Sequence, residues 1–249
     1  MKKRYIILII ILILIIGFSV YYVSDYSHSD STALSYINGS ENVSVTHASN
    51  GLFIDGKGND TALIFYPGAK VEYSAYLPLM NQIAAQGVDV YLVQMPFNLA
   101  FFGQNIADDI IKNSNYSHYI MSGHSLGGVA ASGYASKHDV DGLVLLAAYP
   151  SEEIDKPTLS IYGSEDKVLN LKSYNDARPL IKANFTEHVI NGGNHAQFGN
   201  YGPQKGDGGP LITAEEQQDE TVRLILKWME YTEEKETGGN KNGIQETDH

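Results

Sequence analysis

The stretch Tyr119-Ile120-Met121-Ser122-Gly123-His124-Ser125-Leu126-Gly127-Gly128 decides how the rest of the chain is read. An apolar tetrad that suits a buried strand runs into Gly-His-Ser-Leu-Gly, and a run rich in Ala and Gly follows, as at the start of a closely packed helix. A serine held on so sharp a strand-to-helix turn needs small residues two positions before and after it, because a side chain at either place strikes the neighbouring backbone. The helix that follows aims its first N–H groups at the reaction centre, where an oxyanion develops. Ser125 is therefore the candidate nucleophile. As an ordinary helix N-cap, it would need no such strand in front of it.

Outward from this turn the pattern alternates. Residues 61–66 form a continuous apolar run stopped by Pro67-Gly68, which suits a strand buried on both faces. Helical spacing over 74–86 ends at Gly87, a C-cap signal, and 88–93 is another buried strand. A short helix over 105–112, the elbow helix over 126–137, and strands over 143–147, 158–162 and 185–190 follow, with helical character near 171–183. The last strong pattern, 213–230, is an amphipathic helix carrying Val222, Ile225, Leu226 and Met229 on one side. Buried strands separated by helices mean an α/β fold with a largely parallel sheet, preceded over 43–55 by a hairpin about Ser49-Asn50-Gly51. Phe97, Leu99, Phe101 and Phe102 either line an acyl pocket or, the preferred reading, pack under a helix. The Gly-rich stretch 201–210 either borders the site or is an inert loop.

A serine nucleophile needs a base, and the base an orienting acid; around a serine of this kind the acid and then the histidine follow it along the chain. His28, His47, His118 and His124 precede Ser125, His138 ends the elbow helix, His188 falls within a strand, and His249 is in the tail. His195 remains, in the Gly-rich loop Asn191-Gly-Gly-Asn-His195-Ala beyond the last strand, where open α/β sheets hold functional residues. Asp166 follows the strand at 158–162 and is the candidate acid, with adjacent Glu165 its rival. The second oxyanion donor, beside the N–H of Leu126, belongs to the loop Tyr66-Pro-Gly-Ala-Lys70; Gly68 permits the turn, and the N–H of Ala69 is the choice, with Lys70 the alternative. The intervals from 125 to 166 and from 166 to 195 leave no room for a cap domain.

The chain has 249 residues, 43% of them apolar, enough for one core. Its formal net charge of -12 excludes a basic nucleic-acid-binding face. The absence of cysteine excludes a thiol nucleophile, disulfides and thiolate metal sites. No spacing of His, Asp and Glu suggests a metal, and no cofactor is needed. Met1-Lys-Lys-Arg4 precedes an apolar run from Ile6 to Val23, about long enough to cross a bilayer at roughly 1.5 Å per residue. It ends in Tyr21-Tyr22-Val23-Ser24-Asp25 without a small-x-small cleavage signal, so an uncleaved anchor is preferred over a cleaved signal peptide. The expected organisation is an anchor over 1–23, a linker over 24–42, the α/β domain over 43–232 and a disordered tail over 233–249. The α/β domain lies outside the cytoplasm, tethered to the membrane or, if the segment is cleaved, secreted.

The stretches Tyr66-Pro-Gly-Ala-Lys-Val71, Gln94-Met-Pro-Phe-Asn-Leu99, Gly123-His-Ser-Leu-Gly-Gly128 and Gly192-Gly-Asn-His-Ala-Gln-Phe-Gly199 resemble those of the α/β-hydrolase superfamily, in particular its small dienelactone-hydrolase-like members of the fold-5 subgroup. The resemblance implies an α/β-hydrolase fold with an eight-stranded, mostly parallel sheet, helices on both faces and no large cap. It carries a catalytic triad onto Ser125, Asp166 and His195. Dienelactone hydrolases proper have cysteine at the elbow, so Ser125 favours ordinary ester hydrolysis of small or medium substrates. The membrane is the one further partner expected, through the N-terminal helix; no obligate protein partner is evident. Two other readings stand: an inactive membrane-anchored binding protein on the same fold, and acyl transfer or peptide cleavage by the same three residues.

Overall fold

The computed structural model describes residues 2–58 and 60–241, with side chains for 3–58 and 60–232; the expected tail beyond Lys241, His249 included, lies outside the described residues. The N-terminal helix α1 (Lys2–Ser24) is long and apolar enough to cross a membrane, and none of its apolar window is buried against the protein. Where a linker was expected, a one-turn helix α2 (Ser31–Ser35) forms. Its Asp30 cap accepts from the Ala33 N–H at 2.9 Å, and Ala33 is fully buried.

The hairpin β1 (Ser44–Ala48) and β2 (Gly51–Asp55) opens the sheet. The chain continues through β3 (Thr61–Tyr66), α3 (Leu77–Ala84), β4 (Asp89–Val93), α4 (Ile106–Asn113), β5 (His118–His124) and α5 (Leu126–Ala135). It closes with β6 (Gly142–Leu146), β7 (Thr158–Gly163), α6 (Leu171–Ala177), β8 (Phe185–Ile190) and α7 (Ala214–Lys241). The last helix runs past the point where its apolar periodicity ends, so the expected tail boundary at 233 falls within it.

The eight strands lie in the order β1-β2-β4-β3-β5-β6-β7-β8. β1 with β2 and β2 with β4 pair antiparallel; every other pairing is parallel. A parallel sheet must be covered on both faces, and the alternation along β3 divides the core accordingly. Leu63 and Phe65 pack with α3 and with Val222, Ile225, Trp228 and Met229 of α7. Ile64 and Tyr66 point the other way, onto Ala107 of α4 and Ala130, Ala131 and Tyr134 of α5. Each fully buried large apolar side chain contributes about 1.5–3 kcal/mol, and the two faces together hold the sheet rigid beneath its loops. The loops after β3, β5, β7 and β8 all emerge at the carboxyl edge, where the strand order reverses on either side of β3 and where open α/β sheets bind ligands.

Candidate active site

Ser125 has φ 53° and ψ -127°, a left-handed backbone that costs a non-glycine residue roughly 1–3 kcal/mol. Its N–H is tied to the Leu146 carbonyl of β6 at 2.9 Å, and α5 begins at the next residue. The two motif glycines are required by close approach. A Cβ on Gly127 would lie 2.2 Å from the carbonyl oxygens of Tyr66 and Pro67, and one on Gly123 2.6 Å from the Gly127 carbonyl. The elbow and the loop after β3 are thus pressed backbone to backbone.

That loop presents three N–H groups in sequence. The Gly68 N–H donates to the Tyr76 hydroxyl at 3.1 Å, and the Lys70 N–H to the Asn98 carbonyl at 2.7 Å. Lys70, the alternative donor, is therefore occupied. Ala69 between them lines one cavity of about 330 Å³ together with Ser125, Leu126, Val168, Leu169, Asn170, His195 and Gln204. A second cavity of about 410 Å³ lies across Gln204, against Asn194 and Asp207, and contains none of Ser125, Asp166 or His195.

Asp166 and His195 meet beyond the ends of β7 and β8. The His195 Nδ1 lies 2.8 Å from the Asp166 Oδ2, with both side chains buried. The other carboxylate oxygen accepts from the N–H groups of Val168 and Leu169, each at 2.8 Å. A carboxylate so filled takes a proton donor on Oδ2, which sets His195 as Nδ1–H and leaves its Nε2 lone pair free; Nε2 is buried and has no protein partner. Glu165, the rival acid, instead accepts from the Ser164 hydroxyl.

The loop 201–210 is part of this scaffold. Asp207 accepts from the Ala196 N–H at 2.9 Å, and the Gln204 side belongs to the Ser125 cavity. From the opposite side Gln217 of α7 brackets Asn194, accepting from its N–H and donating to its carbonyl, both at 2.9 Å.

Two buried residues of the site escape a sequence reading. His124 precedes the serine, which excludes it as the base by chain order, yet its ring centre lies 4.6 Å from that of His195. Its Nδ1 is 2.8 Å from the Tyr76 hydroxyl. The same hydroxyl accepts from the Gly68 N–H, so Tyr76 joins the His124 ring to the turn after β3. Burial first, and the neighbouring His195 second, push the His124 imidazole well below the ordinary histidine range, so it is neutral. Burial raises the Tyr76 hydroxyl, which stays protonated. No helical or strand period points to a Tyr–His contact across 48 residues. Phe97, Phe101 and Phe102 neither line the cavity nor pack under a helix: all three are exposed, on a turn whose backbone is left-handed at Phe97 and Asn98. Among the described residues no cluster of His, Asp and Glu could hold a metal.

A search of curated proteins finds no sequence relative. Solved structures share the fold. A dienelactone hydrolase from Anabaena variabilis is similar at a TM-score of 0.60 and 14% identity, over 76% of this chain and 98% of its own. A CIB-like hydrolase from Thermoplasma acidophilum is similar at 0.54 and 14%, over 74% and 98%. A bacterial membrane phospholipase A is similar at 0.55 and 14%, over 94% and 99%. Identities this low speak to the fold alone. The family is given by sequence: residues 62–219 match the Alpha/beta hydrolase family, and the chain belongs to it.

Proposed function

We propose that the protein is a serine esterase working through Ser125, His195 and Asp166. The observation that carries this is one cavity containing Ser125 on its strained turn and His195 on its buried aspartate. His195 Nε2 takes the hydroxyl proton of Ser125 as Oγ attacks an ester carbonyl. The N–H groups of Ala69 and Leu126 then stabilise the oxyanion. As the tetrahedral intermediate collapses, the C–O bond breaks and His195 returns the proton to the departing alcohol. Water, deprotonated by the same nitrogen, then frees the acid and restores Ser125. Asp166 holds the tautomer and stabilises the imidazolium, while Tyr76 and His124 are positioning residues behind the Gly68 turn and the His195 ring.

α1 serves as an uncleaved anchor, with Lys2, Lys3 and Arg4 on the cytoplasmic side and the hydrolase domain outside. The test is a panel of ester, thioester and anilide substrates with product analysis. Esters of short acids should turn over in the wild-type chain and not in Ser125→Ala. Absence of turnover on every substrate would favour an inactive binding protein, and transfer to added alcohols an acyltransferase.

A further inference from the structure

The end of the apolar helix is bound to the loop that borders the Ser125 cavity. The Lys70 amine sits 4.5 Å from the centre of the Tyr22 ring and 2.8 Å from the Asp25 carboxylate. The Ser27 N–H donates to the Lys70 carbonyl at 2.7 Å, and the Glu72 N–H to the Ser27 carbonyl at 2.9 Å. Only Asp25 and Tyr26 separate the last helical residue from this bridge. A membrane entered by α1 therefore begins within about 10 Å of Lys70, since a chain spans at most ~3.6 Å per residue.

The same place carries exposed aromatic surface. The Lys70 N–H is held by the Asn98 carbonyl, so the turn containing Phe97 and the segment Ala100–Phe102 is joined to the loop. Phe97, Phe101 and Phe102 are 59%, 85% and 57% exposed and meet edge to face, with ring centres 5.5–5.6 Å apart. Three contiguous phenylalanines facing water mark an interaction surface, and the tether determines what lies opposite them. Leu126, 58% exposed, adds an apolar side chain at the cavity itself.

We propose that Phe97, Phe101 and Phe102 rest in the interfacial layer of the bilayer that α1 crosses, holding the Ser125 cavity against the membrane. Building on the esterase reading above, this makes the substrates acyl esters of membrane amphiphiles, whose ester groups lie at that depth.

The experiment uses the full chain in phosphatidylcholine vesicles. Because the protein has no cysteine, Phe101→Cys and Asp139→Cys each give one site for an environment-sensitive fluorophore; Asp139 is fully exposed at the opposite end of the sheet, beyond α5. The label at 101 should be blue-shifted, shielded from iodide and quenched by lipids with brominated acyl chains, while the label at 139 stays aqueous. Equal iodide quenching at both sites overturns the docking, as does a chain that fails to float with vesicles, which also overturns the anchor. The triple variant Phe97→Ser, Phe101→Ser, Phe102→Ser should keep wild-type turnover of a soluble p-nitrophenyl ester and lose about tenfold or more on an acyl ester embedded in the vesicles. Unchanged turnover of the embedded ester, or equal loss on both, overturns the substrate assignment. A wild-type chain that hydrolyses neither ester overturns the Ser125 reading, and the label at 101 still decides the docking.

Discussion

Around Ser125 the side chains divide by the charge each can bear. Asp166 has both oxygens filled, so Asp166→Asn keeps the shape of the site while turning His195 to the wrong tautomer. We expect kcat to fall by about 10³–10⁴, with a melting temperature close to wild type. His124 is the opposite case, an imidazole kept neutral by burial. In the unfolded chain it takes a proton as pH falls below its ordinary 6.5; in the folded chain it does not. Its contribution to stability is thus fully present above that pH. Below it, up to about 1.4 kcal/mol is lost per pH unit, until the folded value is reached. Melts between pH 7 and pH 5 should show a shallower acid slope in His124→Gln than in wild type, and parallel slopes would refute this. The pairing of Asp166 with His195 was legible from chain position, because both follow the ends of neighbouring strands, β7 and β8. His124 was not, since its role comes from packing against residues 48 and 71 positions away.

At the scale of elements, the turn before α5 and the loop after β3 act as one piece because glycines let their backbones touch. Gly127→Ala puts a methyl group against the Tyr66 and Pro67 carbonyls. The expected result is a stability loss of about 1–3 kcal/mol, as for overpacking elsewhere. A larger fall in kcat than in substrate affinity should accompany it, since the Ala69 N–H moves with the loop; denaturation and steady-state kinetics measure the two. Strands and helices were readable because period and length agree in each. The one-turn α2 was not: five residues carry no period, and Asp30 capping with a buried Ala33 is visible only in three dimensions. The exposed aromatic turn is illegible for a related reason: hydrophobicity alone predicts burial, and a turn with left-handed backbone at Phe97 and Asn98 carries no period that would say otherwise.

Over the whole molecule, the hydrolase domain supplies its own core and α1 adds nothing to it, being unburied along its apolar length. A chain beginning at Tyr26 should melt within a few degrees of the full chain in detergent; the Lys70 contacts it loses, with the Tyr22 ring and the Asp25 carboxylate, are worth about 0.5–1 kcal/mol each. A collapse of the melting temperature would mean that α1 is a structural element. The family and sheet architecture follow from sequence, whereas the attachment of α1 beside the Ser125 cavity emerges only from hydrogen bonds at Ser27 and Lys70. The claim on which the rest depends is that Ser125 is the nucleophile, activated by His195. Intact-mass measurement after exposure to a fluorophosphonate tests it most directly. The account predicts one adduct on the wild-type chain, mapped to Ser125, none on Ser125→Ala, and much slower labelling of His195→Ala. Labelling of Ser125→Ala at the wild-type rate would contradict it.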